Sequence, residues 1–192
     1  MRTTTLFAAV AAFALPATVV GAIAIDQAAG IFSGTGLTPT HDFPVSASLF
    51  DIEISDPDAE GYRMVEVTVP VEAIETNNNA RNNHMRGTIF EGYESPGKSA
   101  VVFQARTNTP LEAGSITLDG RLSILGQARP VTVTATISGT DPLRARGSAT
   151  IDLDAWGIET PGMGPMKVDP KVSMGFDVQL PAPTASGLSQ TD

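Results

Sequence analysis

Apolar and polar residues alternate along most of the chain that follows residue 24. A period of two is typical of β-strands that bury one face and expose the other. Residues 128–138 show the period most clearly, since Val131, Val133 and Ile137 alternate with threonines. The pattern predicts eight strands, over residues 25–35, 45–55, 62–71, 99–107, 115–125, 128–138, 143–154 and 171–180.

The eight predicted strands are expected to form a closed sheet. Short connections that contain Pro or Gly separate most of them, so neighbouring strands should be antiparallel. Within residues 45–55 the apolar phase shifts between Leu49 and Phe50, which predicts a β-bulge. Eight strands with one apolar face each can close on themselves and leave no free edge. We therefore predict an all-β, eight-stranded antiparallel barrel, with a β-sandwich as the structural competitor.

Residues 75–96 interrupt the alternation between the third and fourth predicted strands. Thr76 is a candidate N-cap, and residues 80–86 can form about two helical turns before Gly87. A helix this short is not stable alone in water, so it must pack against the barrel. The apolar residues available for that contact are Met85, Ile89 and Phe90. The sequence thus predicts one short helix that acts as a lid at the mouth of the barrel.

The interior of the predicted barrel is either filled or hollow. Small residues occupy several inward positions, namely Ala105, Gly120, Ala135, Ala145, Gly147 and Ala149. They either face larger residues across a packed core or leave a track for a long apolar chain, which gains about 0.8 kcal/mol per buried methylene. In the second case the lining is expected to contain the large or central inward residues: Phe32, Phe50, Val67, Phe90, Phe103, Leu122, Val133, Ala149 and Phe176.

Three basic residues lie in the helical segment, near the predicted mouth. Arg81, His84 and Arg86 could together receive the phosphate or other polar head group of an amphiphile. Alternatively, Arg81 pairs with Glu75 or Glu91, and His84 bonds to the backbone to fix the helix. No metal-binding spacing and no Gly-x-Ser-x-Gly motif is present, so the sequence predicts neither catalytic residues nor a metal site.

The composition of the chain limits the classes of binding partner and the cellular compartment that are expected. The chain has 21 acidic and 12 basic residues and a net charge of −9, which disfavours nucleic acid as a partner. It has no cysteine, which excludes disulfides and a lipoprotein anchor. Residues 1–22 resemble a signal peptide cleaved after Ala22 or Ala24, which predicts a periplasmic or secreted protein without stable membrane insertion. Residues 181–192 are predicted to be a disordered tail.

The segment around the predicted helix carries a set of motifs. They are Ile-x-Thr at 74–76, Arg-x-x-His-Met-Arg at 81–86, Phe90, and Tyr-x-x-Pro at 93–96. Further motifs are Ile-Asp at 25–26, Gly-Arg-Leu-Ser-Ile-Leu-Gly at 120–126 with Pro-Val at 130–131, and Trp-Gly-Ile at 156–158. Over roughly residues 25–180 these motifs together resemble the YceI-like family, although Asn82 stands where that family usually has Asp. The resemblance implies a secreted, lipocalin-like barrel over residues 23–180 that binds a polyisoprenoid lipid.

Three functional hypotheses follow. The first is a periplasmic or secreted binding protein that holds a long apolar, polyisoprenoid-like lipid in the barrel for transport or storage. Its bound molecule would be an isoprenoid or a quinone-like lipid, and no other cofactor is expected. The second is an enzyme that acts on such a lipid with His84 as acid or base. The third is an outer-membrane barrel with its faces reversed, against which the low aromatic content of 6% counts. The sequence leaves the oligomeric state open.

Overall fold

A computed structural model describes residues 29–39, 42–160, 162–163 and 166–180. The predicted leader, residues 1–22, and the predicted tail, residues 181–192, lie outside these ranges. The described strands are β1 (Gly30–Leu37), β2 (Asp42–Ala47), β3 (Asp51–Ile54), β4 (Arg63–Pro70), β5 (Ala100–Thr107), β6 (Gly114–Ile124), β7 (Gln127–Ser138), β8 (Arg144–Asp152), β9 (Gly162–Met163), β10 (Met166–Lys167) and β11 (Lys171–Gln179). The helices are α1 (Asn79–Thr88) and two 3-10 turns, Val71–Ala73 and Leu153–Trp156.

Nine of these strands form one antiparallel sheet, in the order β2-β1-β11-β8-β7-β6-β5-β4-β3. Strands β9 and β10 pair only with each other. The edge strands β2 and β3 are separated along the chain by residues 48–50 alone. Because so few residues join the two edges, the sheet must curl until its edges lie side by side. The predicted all-β, lipocalin-like barrel with one short helix is confirmed.

The strand count differs from the prediction because the predicted strand over residues 45–55 is two strands. Ala47 of β2 pairs with Phe32 of β1, whereas Ile52 of β3 pairs with Val67 of β4. The chain therefore leaves one edge of the sheet and joins the other. The phase shift seen in the sequence marks this crossing rather than a bulge, since Leu49 is 39% exposed and the next residue, Phe50, is 1% exposed.

Most outward positions of the strands are polar, although Ile31, Leu37 and Met64 are exposed there. On β8 and β11, Arg144 and Arg146 both donate to the carboxylate of Asp177, and the hydrogen bond from Arg144 lowers the pKa of Asp177. Elsewhere Arg106 donates to Asp58 at 2.7 Å and to Glu60 at 2.8 Å. Polar outward faces and apolar inward faces are the reverse of what a barrel embedded in lipid requires.

Helix α1 is fixed by a buried polar network at its start. The N-cap is Asn78, whose side chain accepts from the Arg81 N–H, so the prediction of Thr76 as the cap is wrong. Thr76 instead donates to Oδ1 of Asn82 from its backbone N–H at 2.8 Å and from its hydroxyl at 2.6 Å. The Asn82 amide donates in turn to Glu75. Thr76 and Asn82 are 1% and 2% exposed, so this network replaces the water that both residues lose on folding.

A second contact ties the end of the helix to the segment before it. Arg86 Nη2 donates to the carbonyl oxygens of Glu72 at 2.8 Å and Ile74 at 3.3 Å, and it lies 3.4 Å from Oε1 of Glu75. Reciprocal backbone hydrogen bonds of 2.8 Å join Glu75 to Ser46 of β2. Residues 72–75 therefore connect the helix to the barrel edge, which places the helix over one end of the barrel.

Replacing Asn82 with Ala is expected to lower the free energy of unfolding by about 1–3 kcal/mol, because the buried N–H and hydroxyl of Thr76 would lose their acceptor. Urea unfolding followed by circular dichroism measures the change. Asn83→Ala is the matched control, since Asn83 is an exposed neighbour on the same helix and gains the same helix propensity. Equal stability of the two variants would show that this network does not hold the helix.

Candidate functional site

The interior of the barrel is hollow. Two clusters of buried side chains occupy opposite ends of the strands, as Ile116 at the start of β6 and Ile124 at its end illustrate. Between them, inward residues such as Leu118, Val131 and Val133 are only half-buried. They face a cavity of about 870 Å³, which is within the range of about 300–1,000 Å³ found for ligand pockets. The hollow interpretation is therefore the right one, and the fully packed core is wrong.

The cavity wall is apolar along most of its length. Every lining residue contributed by β3 to β8 and by β11 is aliphatic, aromatic or Met. The polar lining residues belong to the β1–β2 hairpin and to the helical segment, and they are Thr38, Ser46, Thr76, Arg81, His84 and Thr88. Of all the described lining residues, only His84 and Thr88 are exposed to solvent, so the cavity opens beside them. We call this opening, bounded by Thr38, Phe43, Arg81, His84 and Thr88, the mouth.

Most of the predicted lining residues lie on the cavity wall. They are Phe32, Val67, Phe90, Phe103, Leu122, Val133, Ala149 and Phe176. Phe50 is a correction, because it lies behind the wall and is 1% exposed. Its ring packs edge-on against Phe32, with the two ring centroids 4.9 Å apart. Phe50 is displaced from the wall because it stands at the crossing between β2 and β3, where it fills the end of the barrel.

Two of the small inward residues do not leave space for a ligand. A Cβ atom on Gly120 would lie 2.6 Å from the ring of Phe103, and one on Gly147 would lie 2.6 Å from the ring of Phe176. These glycines therefore let two large rings lie flat against the neighbouring strand. Ala135, Ala145 and Ala149 line the cavity as expected, whereas Ala105 is buried outside it, so the predicted track is only partly present.

The three basic residues of the helical segment separate into two groups. Arg81 and His84 line the mouth, whereas Arg86 points away and fixes the helix. The Arg81 guanidinium lies 4.5 Å from the centroid of the Phe43 ring, and its Nη1 donates to the carbonyl oxygen of Thr76 at 3.2 Å. A cation over an aromatic face is an attractive pair, so both contacts orient the guanidinium.

The pairing predicted for Arg81 is wrong. Neither Glu75 nor Glu91, nor another carboxylate in the described part of the chain, forms an ion pair with Arg81. Glu75 is instead engaged by Asn82 and Arg86. The predicted bond from His84 to the backbone is also wrong, since the exposed His84 ring has no hydrogen bond with the described residues. The mouth thus presents two basic side chains without a carboxylate partner.

Phe43 lies between the first two predicted strands, in a segment whose Gly and Pro residues are typical of a loop, so the sequence does not indicate it as a functional residue. Its ring lies over Gly36 of β1, where a Cβ atom would come within 2.2 Å of it. The signal was present in the sequence, since Phe43, Val45 and Ala47 continue the alternation into the hairpin. Because Gly36 has no side chain, the ring of Phe43 can lie against it. The same ring then contacts the guanidinium of Arg81.

Metal binding and membrane-spanning helices find no support in the described residues. Within these ranges, no three His, Cys, Asp or Glu side chains are placed to hold a metal ion. None of the described helices is both long enough and apolar enough to cross a membrane.

Trp156 belongs to the buried core at one end of the barrel. It is 4% exposed, and its indole N–H donates to the carbonyl oxygen of Gln127 at 2.8 Å.

Comparison with known proteins gives relatives with the same fold. The structure of Burkholderia cenocepacia BcnA is similar with a TM-score of 0.64 at 16% identity, over 79% of this chain and 96% of that one. A polyisoprenoid binding domain from Saccharophagus degradans, implicated in plant cell wall breakdown, has a TM-score of 0.61 at 14% identity, over 83% of this chain and 97% of that one. At such identities the likeness concerns the fold alone.

Sequence comparison gives the family. A UPF0312 protein from Pseudomonas paraeruginosa is 30% identical over 117 residues, which cover 57% of this chain and 58% of that protein. The match thus extends over less than two thirds of that relative. The family model described as the YceI-like domain matches residues 14–180, which confirms the resemblance carried by the motifs around the helix. Because this match includes most of the chain, the protein belongs to the YceI-like family.

Proposed function

We propose that this protein binds a long apolar, polyisoprenoid-like lipid inside the barrel and carries or stores it in the periplasm or outside the cell. The observation that carries the proposal is the cavity of about 870 Å³, whose wall is apolar on every strand from β3 to β8 and on β11. The similarity to a polyisoprenoid binding domain supports the same class of ligand. The leader predicted over residues 1–22 supports export.

The wall selects against polar groups. A polar group placed beside the inward side chains of β4 to β8 would lose its water without gaining a hydrogen bond, at a cost of roughly 2–7 kcal/mol. An apolar chain loses nothing there and gains about 0.8 kcal/mol for each methylene removed from water. If each non-hydrogen atom takes about 30 Å³, as a water molecule does in the liquid, about 30 atoms fill the 870 Å³. The cavity therefore suits one long chain rather than a compact polar metabolite.

An enzyme acting on such a lipid is the second candidate, because His84 is exposed at the mouth and lines the cavity. A general base needs a fixed orientation towards the group that it deprotonates. The His84 ring has no carboxylate or carbonyl partner among the described residues to orient it. Binding without chemical change is therefore the better-supported function.

Replacing Ala149 with Phe is expected to reduce the retained lipid by about tenfold or more, a change that corresponds to about 1.4 kcal/mol of binding free energy. Ala149 is half-buried and lines the cavity, so the added ring would take the space of the chain. Native mass spectrometry of protein purified from its own host, followed by organic extraction, measures the retained lipid. Ala145 is less suitable, because it is 6% exposed and a Phe there would overpack the barrel end.

The matched control for Ala149→Phe is Thr150→Phe. Thr150 is the next residue on β8, but it is exposed and faces away from the cavity. Thr150→Phe should therefore retain lipid as the unchanged protein does, provided that circular dichroism shows the same fold for both variants. Equal retention by the two variants would mean that the lipid does not occupy the cavity.

The lipid is expected to leave the protein chemically unchanged. A defined polyprenol incubated with the protein and extracted should show its original mass in chromatography coupled to mass spectrometry. The His84→Gln variant serves as the comparison, since Gln keeps a polar side chain but cannot exchange a proton near neutral pH. A product formed by the unchanged protein and absent with His84→Gln would support the enzyme instead.

A further inference from the structure

Arg81 is an unpaired basic residue in the wall of an apolar cavity. Arg86, Arg106, Arg144 and Arg146 each form an ion pair with a carboxylate. Arg81, which alone among the described arginines lines the cavity, forms no ion pair with any carboxylate in the described part of the chain. A partly buried charge without a counter-charge is unfavourable in the empty protein, and an incoming anion would relieve it.

The guanidinium of Arg81 is held ready for such an anion. The Phe43 ring lies against one side of it, and the carbonyl oxygen of Thr76 accepts one N–H from Nη1 at 3.2 Å. A guanidinium has five N–H donors in a planar fork, so the remaining donors are available to a ligand. Because the side chain is already oriented, little rotamer entropy is lost when a ligand binds.

His84 extends the same site. Residues three apart on a helix share a face, so His84 lies beside Arg81 on the side of α1 that borders the mouth. An imidazole offers at least one N–H donor whatever its protonation state. Glu75, the acidic residue closest in the network, is engaged by Asn82 and Arg86 and does not compete for Arg81. Among the described residues, the mouth therefore offers two basic side chains and no carboxylate to the polar end of a ligand.

We propose that the ligand is an amphiphile with an anionic, oxygen-rich head group, a phosphate or a carboxylate, which Arg81 and His84 bind while its apolar chain fills the cavity. This inference rests on the proposed function and narrows its ligand class. A carboxylate or phosphate accepts two parallel N–H bonds from one guanidinium, and such charge-assisted bonds are about twice as strong as neutral ones. A hydroxyl or quinone head group would accept bonds from Arg81 but would leave its charge uncompensated.

Lipids that share one chain and differ in the head group test the proposal. Geranylgeranyl phosphate is compared with geranylgeraniol, and palmitate with hexadecanol, in titrations followed by native mass spectrometry. The unchanged protein should bind each anionic lipid about tenfold or more tightly than its alcohol, because only the anion forms charge-assisted hydrogen bonds with Arg81. The stronger of the two preferences identifies phosphate or carboxylate as the head group.

Arg81→Ala should remove this preference, because it should lower the affinity for the anionic lipids much more than the affinity for the alcohols, which lose only a neutral hydrogen bond. Arg81→Lys should keep part of the preference, because it keeps the charge without the planar fork. Arg121→Ala is the control, since Arg121 is an exposed arginine that does not line the cavity. It should behave like the unchanged protein.

The two proposals fail in different ways. If the alcohols and the anionic lipids bind equally, and Arg81→Ala changes neither, the head-group inference is overturned and the apolar-chain carrier stands. If none of the four lipids binds to protein that has been stripped of endogenous lipid and remains folded, the proposed function itself is overturned. A preference that persists in Arg81→Ala would assign the anion to another residue and would also overturn the role of Arg81.

Discussion

The curling of one sheet into a barrel is the constraint on which the rest of this structure depends. The chain passes from one sheet edge to the other within residues 48–50, so all inward side chains share a single interior. Hydrogen bonds between neighbouring strands set the circumference, and the wall cannot collapse onto the side chains that it encloses. Large residues such as Phe50, Phe90 and Trp156 seal the ends. Midway along the strands the inward residues are smaller, and two aromatic rings lie flat over glycines. This arrangement leaves room for the cavity between the two ends.

The helix depends on this closed wall and divides the basic residues between two tasks. Glu75 is bonded to Ser46 of β2, so residues 72–75 form a fixed base to which Arg86 and Asn82 attach the helix. Arg86 therefore donates its hydrogen bonds to carbonyl oxygens whose positions are already fixed. Arg81, about one turn earlier, lies on the side of the helix that faces the opening and is supported by the ring of Phe43. The same short helix thus covers the cavity and gives its opening a positive charge.

Alternation along the chain was enough to predict the strands, their inward faces and most of the lining, because the face of a strand residue is a local property. The number of strands predicted the barrel, the interruption at residues 75–96 predicted the helix, and the YceI-like motifs agreed with both. Apart from the N-cap, which is Asn78 and not Thr76, most of what failed depends on contacts with residues on other elements. Whether Gly147 leaves space is decided by Phe176 on the adjacent strand, and the two are paired only by the register of β8 and β11. The separate roles of Arg81 and Arg86 likewise follow from the path of residues 72–75. No local sequence pattern predicts that path.

An apolar cavity with a charged opening assigns affinity and selectivity to different parts of one ligand. Each methylene in the cavity contributes about 0.8 kcal/mol, so a long chain supplies most of the binding free energy whatever its head group. Contacts at the mouth are partly exposed, and they contribute about 1.5–3 kcal/mol for a charged hydrogen bond, less as salt screens them. In the proposed binding mode, the mouth therefore decides which amphiphile is preferred and in which direction its chain enters. The wall, which offers no hydrogen bond from β4 to β8, decides that the chain must be apolar along the length that it fills.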